Sequence, residues 1–86
     1  MIQTQEIDSA ILKLAADRGA DKTICPSEVA RHLGGQDEAN WRPLMALIRE
    51  RAVKLAKRGS VVIKKSGVPV EVDDFTGIYR IAISKE

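Results

Sequence analysis

The hydrophobic period changes once along this chain, and that change limits what it can fold into. Up to Gly59 the apolar residues recur at helical spacing, and from Ser60 onward they alternate. Ile7, Ala10, Ile11, Leu14 and Ala15 form the i, i+3, i+4, i+7, i+8 stripe of an amphipathic helix. This predicts a first helix over residues 5–18, with Thr4 as its cap, Glu6 in its first turn and Gly19 at its end. In "CPSEVARHLG", Pro26 fits the first helical position and Gly34 the stop, which predicts a second helix barely two turns long. A third is expected from about Asn40 to Arg58, with Pro43 in its first turn. Its apolar side carries Trp41, Leu44, Met45, Ile48, Ala52, Leu55 and Ala56.

"SVVIKK" and "IYRIAIS" then read as strands rich in β-branched residues. Tyr79, Ile81 and Ile83 should face the core and Arg80 the opposite side. The segment "SGVPVEVDDFTG" between the strands is long for a hairpin and predicts an extended arm folded over at its tip. Thr23, Ile24 and Cys25 are too few to stand as a strand alone but enough to pair with a sheet edge. The expected fold class is therefore α+β, in the order α-β-α-α-β-β. Three helices with a small antiparallel sheet is the layout of a winged helix-turn-helix, and residues 1–86 have room for one such domain.

So short a chain buries only about 60–65% of its unfolded surface. With three aromatic residues (Trp41, Phe75, Tyr79), its core must be aliphatic. One cysteine makes no internal disulfide, which fits a reducing cytoplasm, and no apolar run approaches a membrane span. The N-terminal residues lack the basic and apolar regions of a signal peptide.

The net charge of +2 hides an asymmetry. Residues 39–70 carry eight Lys/Arg against one acid, Glu50, while residues 1–38 carry four against seven and residues 71–86 two against four. A basic segment between acidic flanks points to an anionic partner, or to a solvated helix face.

"CPSEVARHLG", "NWRPLMALIRERAVKLAKRG", "VVIKKSGVPV" and "GIYRI" together resemble the bacterial family catalogued as domain of unknown function 3253. The resemblance runs from about Thr23 to Ile83. It implies a winged-helix-like fold and no established activity. The resemblance also implies, for some relatives, a fused cysteine-rich segment of zinc-binding type; these 86 residues contain none, so no metal is carried over.

Cys25 and His32 are unique in the chain. On one helix they lie about 10 Å apart along the axis, too far to share a metal or form a nucleophilic pair. Cys25 reads as a small buried hydrophobe, with a lowered thiol pKa at a helix start as the sharper alternative. Asp73 and Asp74 are neighbours that point apart and suit a turn better than acid/base work. No phosphate loop, catalytic triad order or metal spacing is present, so neither an enzyme nor a cofactor is expected.

The basic segment leads to the remaining candidates. In a helix-turn-helix the exposed start of the third helix meets base edges, here Asn40, Arg42, Ala46, Arg49 and Glu50. Arginine suits guanine and asparagine suits adenine. Lys64, Lys65 and Arg80 are placed for phosphate or minor-groove contact on the wing, and Ser27 and Arg31 for backbone phosphates. Double-stranded DNA is one expected partner. The acidic wing residues Glu71, Asp73 and Asp74 argue against it, and Arg80 could instead pair with Asp73 or Asp74. The rival reading is a protein-interaction or homodimerisation module, with exposed Leu47 and Val53 as docking residues. No membrane partner or small-molecule substrate is expected.

Overall fold

A computed structural model describes residues 2–84. Helix α1 spans Thr4–Arg18 and α2 spans Pro26–Gly34; the third helical region comprises α3 (Glu38–Trp41), a 3-10 turn (Arg42–Leu44) and α4 (Met45–Lys57). Strands β1 (Val61–Lys65), β2 (Val68–Pro69) and β3 (Arg80–Ile83) form one antiparallel sheet in the order β2-β1-β3. The architecture is α+β, as the change of period predicts.

Three local expectations change. Gln3, not Thr4, caps α1: the Glu6 carboxylate accepts from the Gln3 N–H at 3.2 Å, closing a capping box one residue early. The third helix begins before Asn40, because the Asp37 side chain accepts from the Ala39 N–H at 3.0 Å and caps a turn there. Pro43 has no N–H to continue that turn, so the chain tightens into the 3-10 segment before α4 starts. The arm after β1 folds back at once: Ser66 (φ 52°) and Gly67 (φ 81°) make a two-residue turn with both φ positive. That is the hairpin turn whose twist matches the strands. Val68 then pairs with Lys65 and Pro69 with Lys64; proline is tolerated because β2 is an edge strand.

The expected strand around Ile24 is a single bridge. Ile24 exchanges both backbone hydrogen bonds with Ile81, at 2.7 and 2.9 Å, extending the sheet past β3. Ile7, Ile11, Val29, Ile48, Ile63 and Ile81 are fully buried between the helices and the inner face of the sheet, joined by Ile24. Phe75 and Tyr79 close this core from the loop before β3, with their rings edge-to-face at 5.4 Å.

Two further devices fix the helices. Arg51 on α4 grips Asp8 on α1 with two hydrogen bonds of 2.8 and 2.7 Å, and this bonding raises the Arg51 pKa above its ordinary value. Gly34 lies under the next helix: a Cβ there would sit 2.8 Å from the Asn40 carbonyl oxygen, so only glycine lets α2 and α3 approach this closely.

Candidate nucleic-acid interface

The basic segment is largely occupied within the molecule. Arg42 pairs with Glu38 one turn earlier, Arg51 with Asp8, and Lys57 with Asp73 at 2.7 Å. Arg49 is half-buried and does not stand on the outer face expected of it. Its guanidinium donates to the Phe75 carbonyl at 2.6 Å and lies 4.0 Å from the centroid of the Phe75 ring. Tyr79 is 5.9 Å away on the same cation. Arg49 therefore holds the 71–79 loop against α4. Lys65 reaches the same loop by donating to the Thr76 carbonyl.

Asp73 folds back to Lys57 near the end of α4 and leaves Arg80 alone. The expected Arg80 pairing with Asp73 or Asp74 is thus replaced. Its Nε donates to Thr23 Oγ1 at 2.6 Å and a terminal nitrogen donates to the Thr23 carbonyl at 3.2 Å. Thr23 is within reach because the Ile24–Ile81 bridge sets it beside β3.

Sheet register decides where the remaining cations stand. Val61 and Ile63 face inward, so Val62 and Lys64 face outward. Lys64 lies directly opposite Arg80 in the β1–β3 pairing, and neither has a carboxylate partner among the described residues.

Arg31 on α2 and Arg42 in the following turn also come together. Their guanidinium carbons lie 5.6 and 5.7 Å from the centroid of the Trp41 ring. Trp41, on the expected apolar side of the third helix, is half-buried at the edge of the core and carries these two cations. Asn40 is exposed beside it. Ser27 is turned toward Cys25, with Oγ and Sγ 3.0 Å apart. Cys25 precedes α2 as its cap residue, half-buried, and its N–H donates to Glu28 at 3.2 Å; Glu28 also binds Arg18 at 2.6 Å. His32 is exposed on the last turn of α2.

Leu47 and Val53 are half-buried and packed on the core, so they do not form the exposed docking pair expected of them. Among the described residues, the exposed large apolar side chains are Val68 and Ile78, at 62% and 85%. Ile78 borders a cleft of about 300 Å³ shared with Cys25, Pro26, Met45 and Tyr79. Among the described residues the buried Tyr79 hydroxyl has no hydrogen-bond partner, and burial pushes its pKa up to about 12. Lys54 on the outer side of α4 and Arg58 at its C-terminal cap, one turn apart, are two further exposed cations that helical spacing alone places together.

The profile of the family described as "Protein of unknown function (DUF3253)" matches residues 4–84. The chain belongs to this family. The match takes in α1 as well as the segment whose motifs carried the resemblance. No curated protein matches the sequence. Among the described residues, no helix of this family member is long and apolar enough to cross a membrane.

Proposed function

We propose that this protein is a winged-helix module that binds double-stranded DNA, chiefly through the phosphate backbone and with little selection among bases. The observation that carries the reading is the set of cations left without a carboxylate after the internal pairs are counted. Lys22, Arg31, Lys54, Arg58, Lys64 and Arg80 have none among the described residues, and each is exposed or half-exposed, while Arg49 and Lys65 are tied to backbone carbonyls. Such a set suits a polyanion. The weak base selection follows from the start of the third helical region. Its outward positions are Asn40, Pro43, Ala46 and Glu50, with Arg42 already paired to Glu38. One amide and one neutralised guanidinium can distinguish few base pairs.

Titration of a mixed-sequence duplex at two salt concentrations tests this. A contact with roughly four phosphates should weaken about a hundredfold between about 50 and about 200 mM salt. Absence of binding at the lower concentration would end the proposal.

Ile78 favours a second reading, protein docking. An isoleucine 85% exposed beside an apolar cleft is the kind of feature that marks a contact surface. A second copy of the chain is the simplest occupant. Sedimentation should then show a dimer that Ile78→Asp dissociates; a monomer at high concentration would count against that occupant.

A further inference from the structure

Arg31 is held in place without being neutralised. It lies on α2 one turn before Gly34, on the same face of that helix. There α2 meets the start of the third helical region so closely that a Cβ on Gly34 would lie 3.1 Å from the Trp41 Cα. The indole is thereby set beside Arg31, whose guanidinium carbon lies 5.6 Å from the ring centroid. Among the described residues, the side-chain hydrogen bonds and ion pairs of arginine belong to Arg18, Arg42, Arg49, Arg51 and Arg80. Arg31 and Arg58 have neither there, and of these two Arg31 is the one with a ring to rest on. The acids closest to it along the chain are engaged: Glu28 binds Arg18, Asp37 caps α3 and Glu38 binds Arg42.

We infer that Trp41 is a positioning residue that presents the Arg31 guanidinium to a phosphate of the duplex. The inference rests on the DNA-binding proposal and names an arm that delivers the contact. A cation–π contact orients a guanidinium through its face and consumes none of its N–H groups. Arg80 differs, since two of its nitrogens donate to Thr23. Arg31 keeps its whole fork for the paired oxygens of a phosphate. A side chain already ordered in this way loses less freedom on binding than one with no such contact. Arg42 rests on the same ring at 5.7 Å, but Glu38 neutralises it, so in this role the ring serves Arg31.

Duplex affinity in single and double variants tests the role. Arg31→Gln should shrink the slope of log affinity against log salt by about 1. Trp41→Leu should weaken binding about two- to fivefold, the strength of an exposed cation–π contact. Trp41→Phe keeps an aromatic face and should stay within about twofold of the wild type. In the Arg31→Gln background Trp41→Leu should have no further effect, because the ring acts through that arginine. A ring that served packing alone would instead add its loss to that of Arg31.

Trp41 is the single tryptophan, so its fluorescence gives a measurement that needs no change at that position. With iodide exchanged for chloride at constant low ionic strength, quenching should be about twofold stronger in the wild type than in Arg31→Gln. Quenching by neutral acrylamide should be equal in the two proteins. Equal iodide quenching would overturn the inference, as would additive effects of the two substitutions or an unchanged salt slope in Arg31→Gln. With the duplex still bound, the DNA proposal would survive any of these results. Absence of duplex binding at the lower salt concentration would end the DNA proposal and this inference together.

Discussion

Three cations of α4 and those of the sheet's outer face are of similar type but opposite employment. Along α4, Arg49, Arg51 and Lys57 each point to a neighbouring element: the 71–79 loop, α1 and Asp73. They staple the fold. On the sheet, Lys64 and Arg80 occupy opposed positions of β1 and β3, Arg80 binding Thr23, and neither has an ion pair among the described residues. A helix with two packed flanks can aim long side chains at several elements, whereas on the outward face of the sheet Ala82 is covered but Lys64 and Arg80 find no acid among the described residues. The lesson is that a basic stretch of sequence is not one surface. Its residues divide by which side of their own element they occupy.

This contrast can be broken at several strengths. The largest effect should come from Phe75→Ala, which removes the ring on which Arg49 and Tyr79 converge. A loss of about 3–5 kcal/mol in chemical denaturation is expected for so buried an aromatic. Arg49→Ala should cost about 2 kcal/mol, the size of a charge-assisted hydrogen bond with a cation–π contact, and should leave the salt slope of duplex binding unchanged. A stable Arg49→Ala with reduced binding would reverse its assignment from staple to reader.

Tyr79→Phe should act in the opposite direction. Removing a buried hydroxyl without a partner should leave stability equal or higher by about 1 kcal/mol at neutral pH. The difference between the two proteins should also change with pH. Tyr79 holds its proton in the folded state up to about 12, while the unfolded chain releases it near the ordinary 10.0. The wild type therefore keeps its full stability below pH 10 and loses part of it between about 10 and 12; the variant lacks this fall. Parallel curves for the two proteins across that range would show that the hydroxyl is not the titrating group.

Smallest of all, Arg42→Ala should change stability by less than about 1 kcal/mol, because its pair with Glu38 is exposed on both sides. Its effect on duplex binding should also be slight, since Glu38 already neutralises it. A large loss of affinity would show that DNA displaces Glu38 and that the start of the third helical region reads bases after all.

Much of the fold was legible along the chain. The change of period at Gly59 separated helices from sheet, Pro26 and Gly34 bounded α2, and Thr23, Ile24 and Cys25 before a proline announced a short pairing with a sheet edge, which the structure makes a single bridge to Ile81. These features work through local rules: side-chain periodicity, the missing N–H of proline, the conformational freedom of glycine. The candidate site was less legible. Arg31, Arg42, Lys64 and Arg80 do gather in pairs, yet Arg49 looked like a groove reader and is a clamp on Phe75. Helical spacing gave its side of α4 but not the loop that would fold over that side.

By itself the sequence determined the kind of each element, its approximate ends, and the aliphatic nature of the core, because those depend on residues within a few positions of one another. Tertiary structure alone decided which charges were spent. Thr23 meets Arg80 across 57 positions, and Asp8 meets Arg51 across 43. A cation's availability depends on what folding brings within about 4 Å of it, and no local pattern encodes that distance.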